Sequence, residues 1–155
     1  MSSVADPFEA PPTVLFACTL NAVRSPMAAG ILHQLAGPRL VVTSAGVRCG
    51  RPDPFVMAVM DEIGIDVTQH QPRTFAELER CTFQTIITLS PEATHHAVEL
   101  TRIMPARVEY WPTFDPSLFD PSAGRAVLLP AYRRLRDDLL SRIKTRFAIE
   151  GGPSV

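Results

Sequence analysis

The sequence has no hydrophobic run close to the roughly 20 residues that a membrane-spanning helix needs, so we expect no membrane domain. Its N-terminus lacks the basic segment followed by an apolar segment that marks a signal peptide. Only three cysteines are present, at wide spacing, which argues against a disulfide framework and favours a reducing compartment, the cytoplasm. The formal net charge of −1 predicts no surface for nucleic acid or for an anionic membrane.

Histidine is also scarce, and its four positions do not predict a metal site. None of them has a cysteine or carboxylate at the spacing of a metal centre, so we predict neither a metal nor another cofactor; the four are His33, His70, His95 and His96. His95 and His96 are adjacent and would point in different directions on a helix, which is typical of a solvated surface.

The composition fits one compact domain. A length of 155 residues with 46% hydrophobic content is enough to bury a core. Residues 1–12 contain three of the 15 prolines and show no periodicity, so we expect a flexible N-terminal tail there. A single catalytic domain would then cover residues 13–150. A monomer and a dimer are both compatible with the sequence.

Apolar segments rich in β-branched residues alternate with helical patterns along the chain. They predict four strands, at residues 14–17, 40–43, 84–89 and 107–111. Strands that alternate with helices indicate an α/β fold: a four-stranded parallel sheet flanked by helices on both faces, in three layers. Ligands of such sheets bind at the carboxyl ends of the strands. We therefore expect Cys18, Ser44, Ser90 and the loop after Trp111 to lie at one edge.

A cysteine and an arginine with five residues between them follow the first strand. Cys18 ends the apolar run, and Arg24 stands directly before Ser25 and Pro26, which suit the N-cap and first turn of a helix. Backbone amides between them would face an anion in front of the helix dipole, which also favours the Cys18 thiolate. The Arg24 guanidinium matches two oxygens of a tetrahedral oxyanion. The substrate-binding residues would be Thr19, Leu20, Asn21, Ala22, Val23, Arg24 and Ser25. The alternative is a buried cysteine and a solvated arginine.

This stretch resembles the phosphate-binding loop of the low-molecular-weight protein tyrosine phosphatases and of the arsenate reductases that share their fold. Further matches follow in family order over about residues 13–147: Thr43-Ser44-Ala45-Gly46, Gly64-Ile65-Asp66 and Asp115-Pro116. The resemblance implies a phosphotyrosine phosphatase I-like fold. It also implies that Asn21 braces the loop, and it favours Ser44 as a second loop support rather than a reactant.

For phosphate ester cleavage, the Cys18 thiolate would attack phosphorus while the loop amides and Arg24 hold the charge of the transition state. Ser25 would hydrogen-bond the sulfur. The general acid is predicted to be Asp115, which would later act as base for the hydrolytic water. Asp120-Pro121 and Asp53-Pro54 are competitors, each with an alternative role as a turn or helix cap. We prefer Asp115 because it follows a strand ending in Tyr110-Trp111, as in the family.

Several positions depart from the phosphatase pattern. Leu20 stands where the phosphatases have glycine, so the loop would be strained there if this position needs a positive φ. Val23 replaces a second cysteine that many relatives carry. Ser117 and Leu118 replace tyrosines, which removes stacking surface for a phenyl phosphate. The sequence thus predicts a phosphatase of phosphoproteins or phosphorylated small molecules, with phosphotyrosine less well defined as the substrate.

Two other functions remain open. The short loop at residues 47–50 and Trp111 resemble the arsenate reductases, which would bind an oxyanion in the same loop. Relatives that use thioredoxin have a cysteine where this chain has Ser90, and Cys81 precedes the third strand, so an external small thiol would be required. Cys49 could lie at the rim or be incidental. A non-catalytic phosphate-binding module is the third reading, but it would need neither the thiol nor the acid.

Overall fold

The structure, a computed structural model, describes residues 11–78 and 80–149. The tail expected over residues 1–12 therefore lies outside the described residues, apart from Pro11 and Pro12. The elements in chain order are β1 (Thr13–Cys18), α1 (Arg24–Ala36), β2 (Val41–Gly46), α2 (Pro54–Asp61), β3 (Thr85–Thr88), α3 (Pro91–Leu100), β4 (Arg107–Tyr110) and α4 (Arg125–Arg146). Short 3-10 turns lie at Gly37–Arg39, Phe75–Leu78, Pro116–Leu118 and Pro121–Ala123.

The four strands form one parallel sheet in the order β2-β1-β3-β4. Alternate side chains of β1 enter two separate cores, as expected for a strand covered on both faces. Phe16 and Cys18 pack in the core that contains α1, α2 and α4. Leu15 and Ala17 pack in the core that contains α3. The predicted three-layer α/β fold is confirmed, and β1 lies at its centre.

The start of α1 differs from the prediction. The helix begins at Arg24, Val23 occupies the N-cap position without a side-chain cap, and Ser25 lies inside the first turn. The prediction of Ser25 as N-cap was therefore wrong, because its hydroxyl is used in contacts with Cys18 and Asn21. Asp53 and Ser90 do cap helices: they accept hydrogen bonds from the N–H groups of Phe55 and Ala93, at the starts of α2 and α3.

One arginine of α4 is buried although it is charged. Arg136 is 5% exposed, on the buried side of the helix, where it donates to the Val59 carbonyl at 2.7 Å and to Glu62 at 2.7 Å. Tyr132, Leu135, Leu139 and Ile143, at helical spacing on α4, are buried. Among the described residues, no helix combines the length and the apolar character needed to cross a bilayer.

Candidate active site

The segment between β1 and α1 forms a cleft with the segments that follow β2 and β4. Its volume is about 100 Å³, a few times the ~30 Å³ share of one water molecule and therefore enough for one small tetrahedral ion. The lining residues are Cys18, Leu20, Ala22, Val23, Arg24, Gly50, Arg51, Asp53, Asp115 and Ser117. The structure thus brings Asp115 to Cys18 and Arg24, although it lies about ninety residues later in the sequence.

The backbone of the loop is held from its outer side. The carbonyls of Cys18, Thr19 and Leu20 accept hydrogen bonds of 3.2, 2.9 and 2.7 Å from N–H groups of the segment at residues 47–50. Within the described part of the chain, no backbone N–H from Thr19 to Ser25 donates to another protein group. The loop therefore directs its carbonyls into protein contacts and leaves its amides available to an anion.

Asn21 holds the loop in shape through three contacts. Its Nδ2 donates to Ser25 Oγ at 2.8 Å, and its Oδ1 accepts from the Arg73 N–H at 2.9 Å. The Asn21 carbonyl contacts His70 Nε2 at 2.8 Å. Burial, followed by the positive charge of Arg73, lowers the pKa of His70, although its bond to Asn21 acts in the opposite direction. His70 and Arg73 were not predicted, since they follow Asp66 in a loop without a distinguishing pattern.

The left-handed residue of the loop is Asn21 rather than Leu20. Among the described non-glycine residues, positive φ values occur at Asn21 (52°) and at Ala148 (51°). Asparagine tolerates this conformation better than most residues do. Leu20 does not have a positive φ, so the condition for strain at this position is not met, and its side chain lies partly exposed at the cleft. Glycine is required instead at Gly46, where a Cβ atom would lie 2.7 Å from the Asn21 nitrogen.

The Cys18 sulfur contacts the hydroxyl of Ser25. The Sγ–Oγ distance is 2.9 Å, and both residues are buried, with exposures of 2% and 0%. The same hydroxyl accepts the Asn21 amide and lies 3.3 Å from the Ala45 carbonyl. Cys18 still lines the cleft, so the buried sulfur remains on the side of the loop that an anion would reach. Thr19 is tied to the end of β3, because its hydroxyl donates to Ser90 Oγ at 3.0 Å.

Arg24 is turned inward and is 8% exposed. Its Nη1 donates to the carbonyls of Leu89 and Thr113 at 3.1 and 3.0 Å, and its Nη2 lies 3.6 Å from Asp115 Oδ2. These contacts fix the plane of the guanidinium at the cleft. The reading of Arg24 as a solvated surface residue is therefore wrong.

The three Asp-Pro carboxylates have different surroundings. Asp115 lies in the cleft, and its Oδ1 accepts from the Ser117 N–H and hydroxyl at 2.9 and 2.6 Å. Asp120 is exposed and does not line the cleft; hydrogen bonds from Ser122 lower its pKa. Asp53 does line the cleft, but its Oδ2 accepts from the Tyr132 hydroxyl at 2.5 Å.

Of the other residues singled out in the sequence, Ser44, Cys49 and Cys81 do not line the cleft, whereas Ser117 does. Ser44 is buried and lines a separate cavity with His70 and Arg73. Cys49 and Cys81 are exposed and unpaired. Ser117 lines the cleft where a tyrosine was expected from the family, and the neighbouring Leu118 is 82% exposed. No group of three or more potential ligands among His, Cys, Asp and Glu that could hold a metal ion occurs within residues 11–78 and 80–149.

An apolar groove adjoins the cleft and shares Arg51, Asp53 and Ser117 with it. Its remaining walls are mostly proline and aromatic residues: Pro52, Pro54, Phe55, Pro116, Phe119, Pro121, Leu128 and Tyr132. Sequence reasoning missed this surface because it looked for aromatic residues directly after Asp115-Pro116. Phe55 and Phe119 provide aromatic surface at other positions.

Comparison with known proteins gives two groups of relatives. The family model described as low molecular weight phosphotyrosine protein phosphatase matches residues 13–143. Arsenate reductase 1 of Staphylococcus epidermidis is 28% identical over 135 residues, which cover 86% of this chain and 93% of that protein. A tyrosine phosphatase structure, amsI of Erwinia amylovora, has a TM-score of 0.73 at 16% identity and covers 96% of this chain and 100% of its own. A structure described as an arsenate reductase in the phosphate binding state has a TM-score of 0.70 at 24% identity, covering 88% of this chain and 97% of its own.

Proposed function

The chain belongs to the low molecular weight phosphotyrosine protein phosphatase family, and on that premise we propose that it is a cysteine-dependent phosphatase. It would hydrolyse phosphomonoesters, protein phosphotyrosine among them, through a phosphocysteine intermediate. The proposal rests on one observation: Cys18, Arg24 and Asp115 line the same cleft. A phosphate-binding module would need neither a thiol nor an acid at that place.

In the first step, the Cys18 thiolate attacks phosphorus opposite the leaving oxygen. An S–P bond forms, the P–O bond to the leaving group breaks, and Asp115 gives its proton to the departing oxygen. The charge on the three remaining phosphoryl oxygens is held by the loop amides and by Arg24, whose guanidinium is already fixed by Leu89 and Thr113.

In the second step, water attacks the phosphocysteine. Asp115 takes a proton from the water, a P–O bond forms, and the S–P bond breaks to return the Cys18 thiolate. The hydroxyl of Ser25, 2.9 Å from the sulfur, stabilises the thiolate as it leaves. Asn21 would support the loop through its bonds to Ser25 and Arg73. Ser44 would act only as a more remote support, since it lies in the neighbouring cavity.

The apolar groove supports a substrate with an aryl or other apolar leaving group. The groove begins at Asp53 and Ser117, residues that also line the cleft, and continues along Phe55 and Phe119. A phosphate bound in the cleft would therefore place its ester group at the entrance to an aromatic surface. This arrangement favours aryl phosphates over small polar phosphate esters.

A second candidate is arsenate reduction, because the curated relatives include proteins named arsenate reductases. Cys18 would displace an oxygen of arsenate to form an S–As bond, releasing water. An external small thiol would then attack the Cys18 sulfur, forming a mixed disulfide as arsenic leaves as arsenite with two more electrons. The external thiol is needed because Ser90 occupies the end of β3 and Cys81 lies before that strand.

The deciding experiment measures two reactions on the same purified protein. We expect turnover of p-nitrophenyl phosphate that is abolished in Cys18→Ser and retained in Cys49→Ser and Cys81→Ser. Thiol oxidation that depends on arsenate is measured with and without glutathione. Arsenate-dependent oxidation without phosphatase turnover would replace the proposed function by the second candidate, and phosphate binding without either reaction would leave a binding module.

We further propose that residues 13–150 act as one catalytic domain and that the protein works in the cytoplasm. The free thiols of Cys49 and Cys81 support a reducing compartment.

A further inference from the structure

Asp53 stands on the cleft wall but has no part in the two chemical steps. Its Oδ1 accepts the Phe55 N–H at 2.9 Å, and its Oδ2 accepts the Tyr132 hydroxyl at 2.5 Å. Both carboxylate oxygens of Asp53 therefore accept hydrogen bonds from protein groups, which fix the side chain in place. Its place beside Cys18 and Asp115 therefore calls for a different role.

The hydroxyl that binds Asp53 comes from the buried face of α4. Tyr132 is 3% exposed, and its ring stacks on Phe55 with a centroid distance of 5.2 Å. Burial, the hydrogen bond to Asp53, and the charges of Asp53 and Asp115 raise the pKa of Tyr132 well above its usual value. Tyr132 thus keeps its proton, and its hydroxyl lies within electrostatic reach of both carboxylates.

The turn that carries Asp115 lies on the same helix. Pro116 is buried, and the turn Pro116–Leu118 contacts α4. Pro116, Phe55 and Tyr132 line one side of the apolar groove. The bond between Asp53 and Tyr132 therefore joins the start of α2 to α4 beside this turn, and it closes the wall of the cleft next to Asp115.

We propose that Asp53 and Tyr132 form a positioning pair for Asp115, an inference that rests on the proposed phosphatase function. The hydrogen bond holds the wall beside Asp115, so that the acid stays within reach of the leaving oxygen.

The test uses two variants that each remove one part of the pair. Asp53→Asn removes the charge but keeps a good cap for α2, and Tyr132→Phe removes the hydroxyl but keeps the stacked ring. Matched controls are Asp120→Asn, which also caps a turn but lies outside the cleft, and Tyr110→Phe, whose ring is exposed. Thermal unfolding checks that each variant folds. If Tyr132→Phe does not fold, Asp53→Asn carries the test alone.

The measurements are kcat and KM for phenyl phosphate, which has a poor leaving group, and for p-nitrophenyl phosphate, which has a good one. Loss of positioning of the acid should lower kcat for phenyl phosphate about tenfold, part of the 10²–10⁴ that general acid catalysis supplies, with KM changed less than about twofold. The good leaving group should be nearly unaffected. Both controls should match the wild type on both esters.

Equal losses on the two esters, or a change in KM alone, would overturn the inference, because a merely structural pair would give those results. A wild-type chain that hydrolyses neither ester would overturn the proposed function and this inference with it. Normal wild-type turnover with variants that equal their controls would overturn this inference alone.

Discussion

The Ser25 hydroxyl offers the sharpest test of how the cleft handles the cysteine sulfur. It lies 2.9 Å from Cys18 Sγ and 3.3 Å from the Ala45 carbonyl, and it accepts the Asn21 amide at 2.8 Å. In Ser25→Ala, the thiolate loses its donor. A hydrogen bond to a charged group contributes about 1.5–3 kcal/mol. At about 1.4 kcal/mol per factor of ten, the step that expels the thiolate should slow about 10- to 150-fold.

Stopped-flow hydrolysis of p-nitrophenyl phosphate separates this step from the first. We expect kcat to fall by that factor and a burst of p-nitrophenol to appear, because the phosphocysteine accumulates when its breakdown becomes slow. The buried Asn21 amide also loses its acceptor, which should lower the free energy of unfolding by about 1–3 kcal/mol. Ser122→Ala, on an exposed turn, is the control. A kcat within about twofold of wild type, without a burst, would refute the role given to Ser25.

Three further predictions concern charged groups. Arg24→Lys removes the planar guanidinium, whose Nη1 donates to two backbone carbonyls. We therefore expect kcat/KM in steady-state assays to fall about 10²- to 10³-fold. A loss below tenfold would contradict the role of the guanidinium. Asp115→Asn should slow phenyl phosphate about 10²-fold or more and p-nitrophenyl phosphate far less; equal losses would reassign the acid. Arg133 and Arg136 lower the pKa of Glu62 from 4.5 to about 2, so its stabilising contribution, present above about pH 4.5, should be lost as pH falls towards 2. In urea unfolding, the free energy of unfolding of Glu62→Gln should then fall less between neutral and acid pH than that of the wild type. An equal fall in the two proteins would contradict the stabilising role of Glu62.

The fold and the centre of the site could be predicted from local patterns. The apolar run before Cys18, the spacing to Arg24 and the alternation of strands with helices each depend on residues that are near one another in the chain. The parallel topology then predicts that Asp115 lies at the same edge as Cys18, and the structure places its carboxylate 3.6 Å from Arg24. Here the sequence carries enough information because strand ends in a parallel sheet share one edge.

The remaining contacts depend on tertiary packing that no local pattern encodes. His70 reaches the Asn21 carbonyl across 49 residues, and Tyr132 reaches Asp53 across 79. Tyr132 is buried on α4, but burial alone does not say which acceptor its hydroxyl finds. Ser25 has the residue type of an N-cap, yet the tertiary contacts with Cys18 and Asn21 take its hydroxyl away from that local role.

The two carbonyls held by Arg24 belong to different parts of the sheet's carboxyl edge. Leu89 follows β3, and Thr113 follows β4, the outermost strand on that side. The position of the Arg24 side chain therefore depends on whether β4 is packed against β3. If that strand frays, the guanidinium loses an anchor and the proton donor next to it is released at the same moment. In a chain with this strand unfolded, the Cys18 thiol would be inactive. Catalytic activity would therefore require the carboxyl edge of the sheet to be folded.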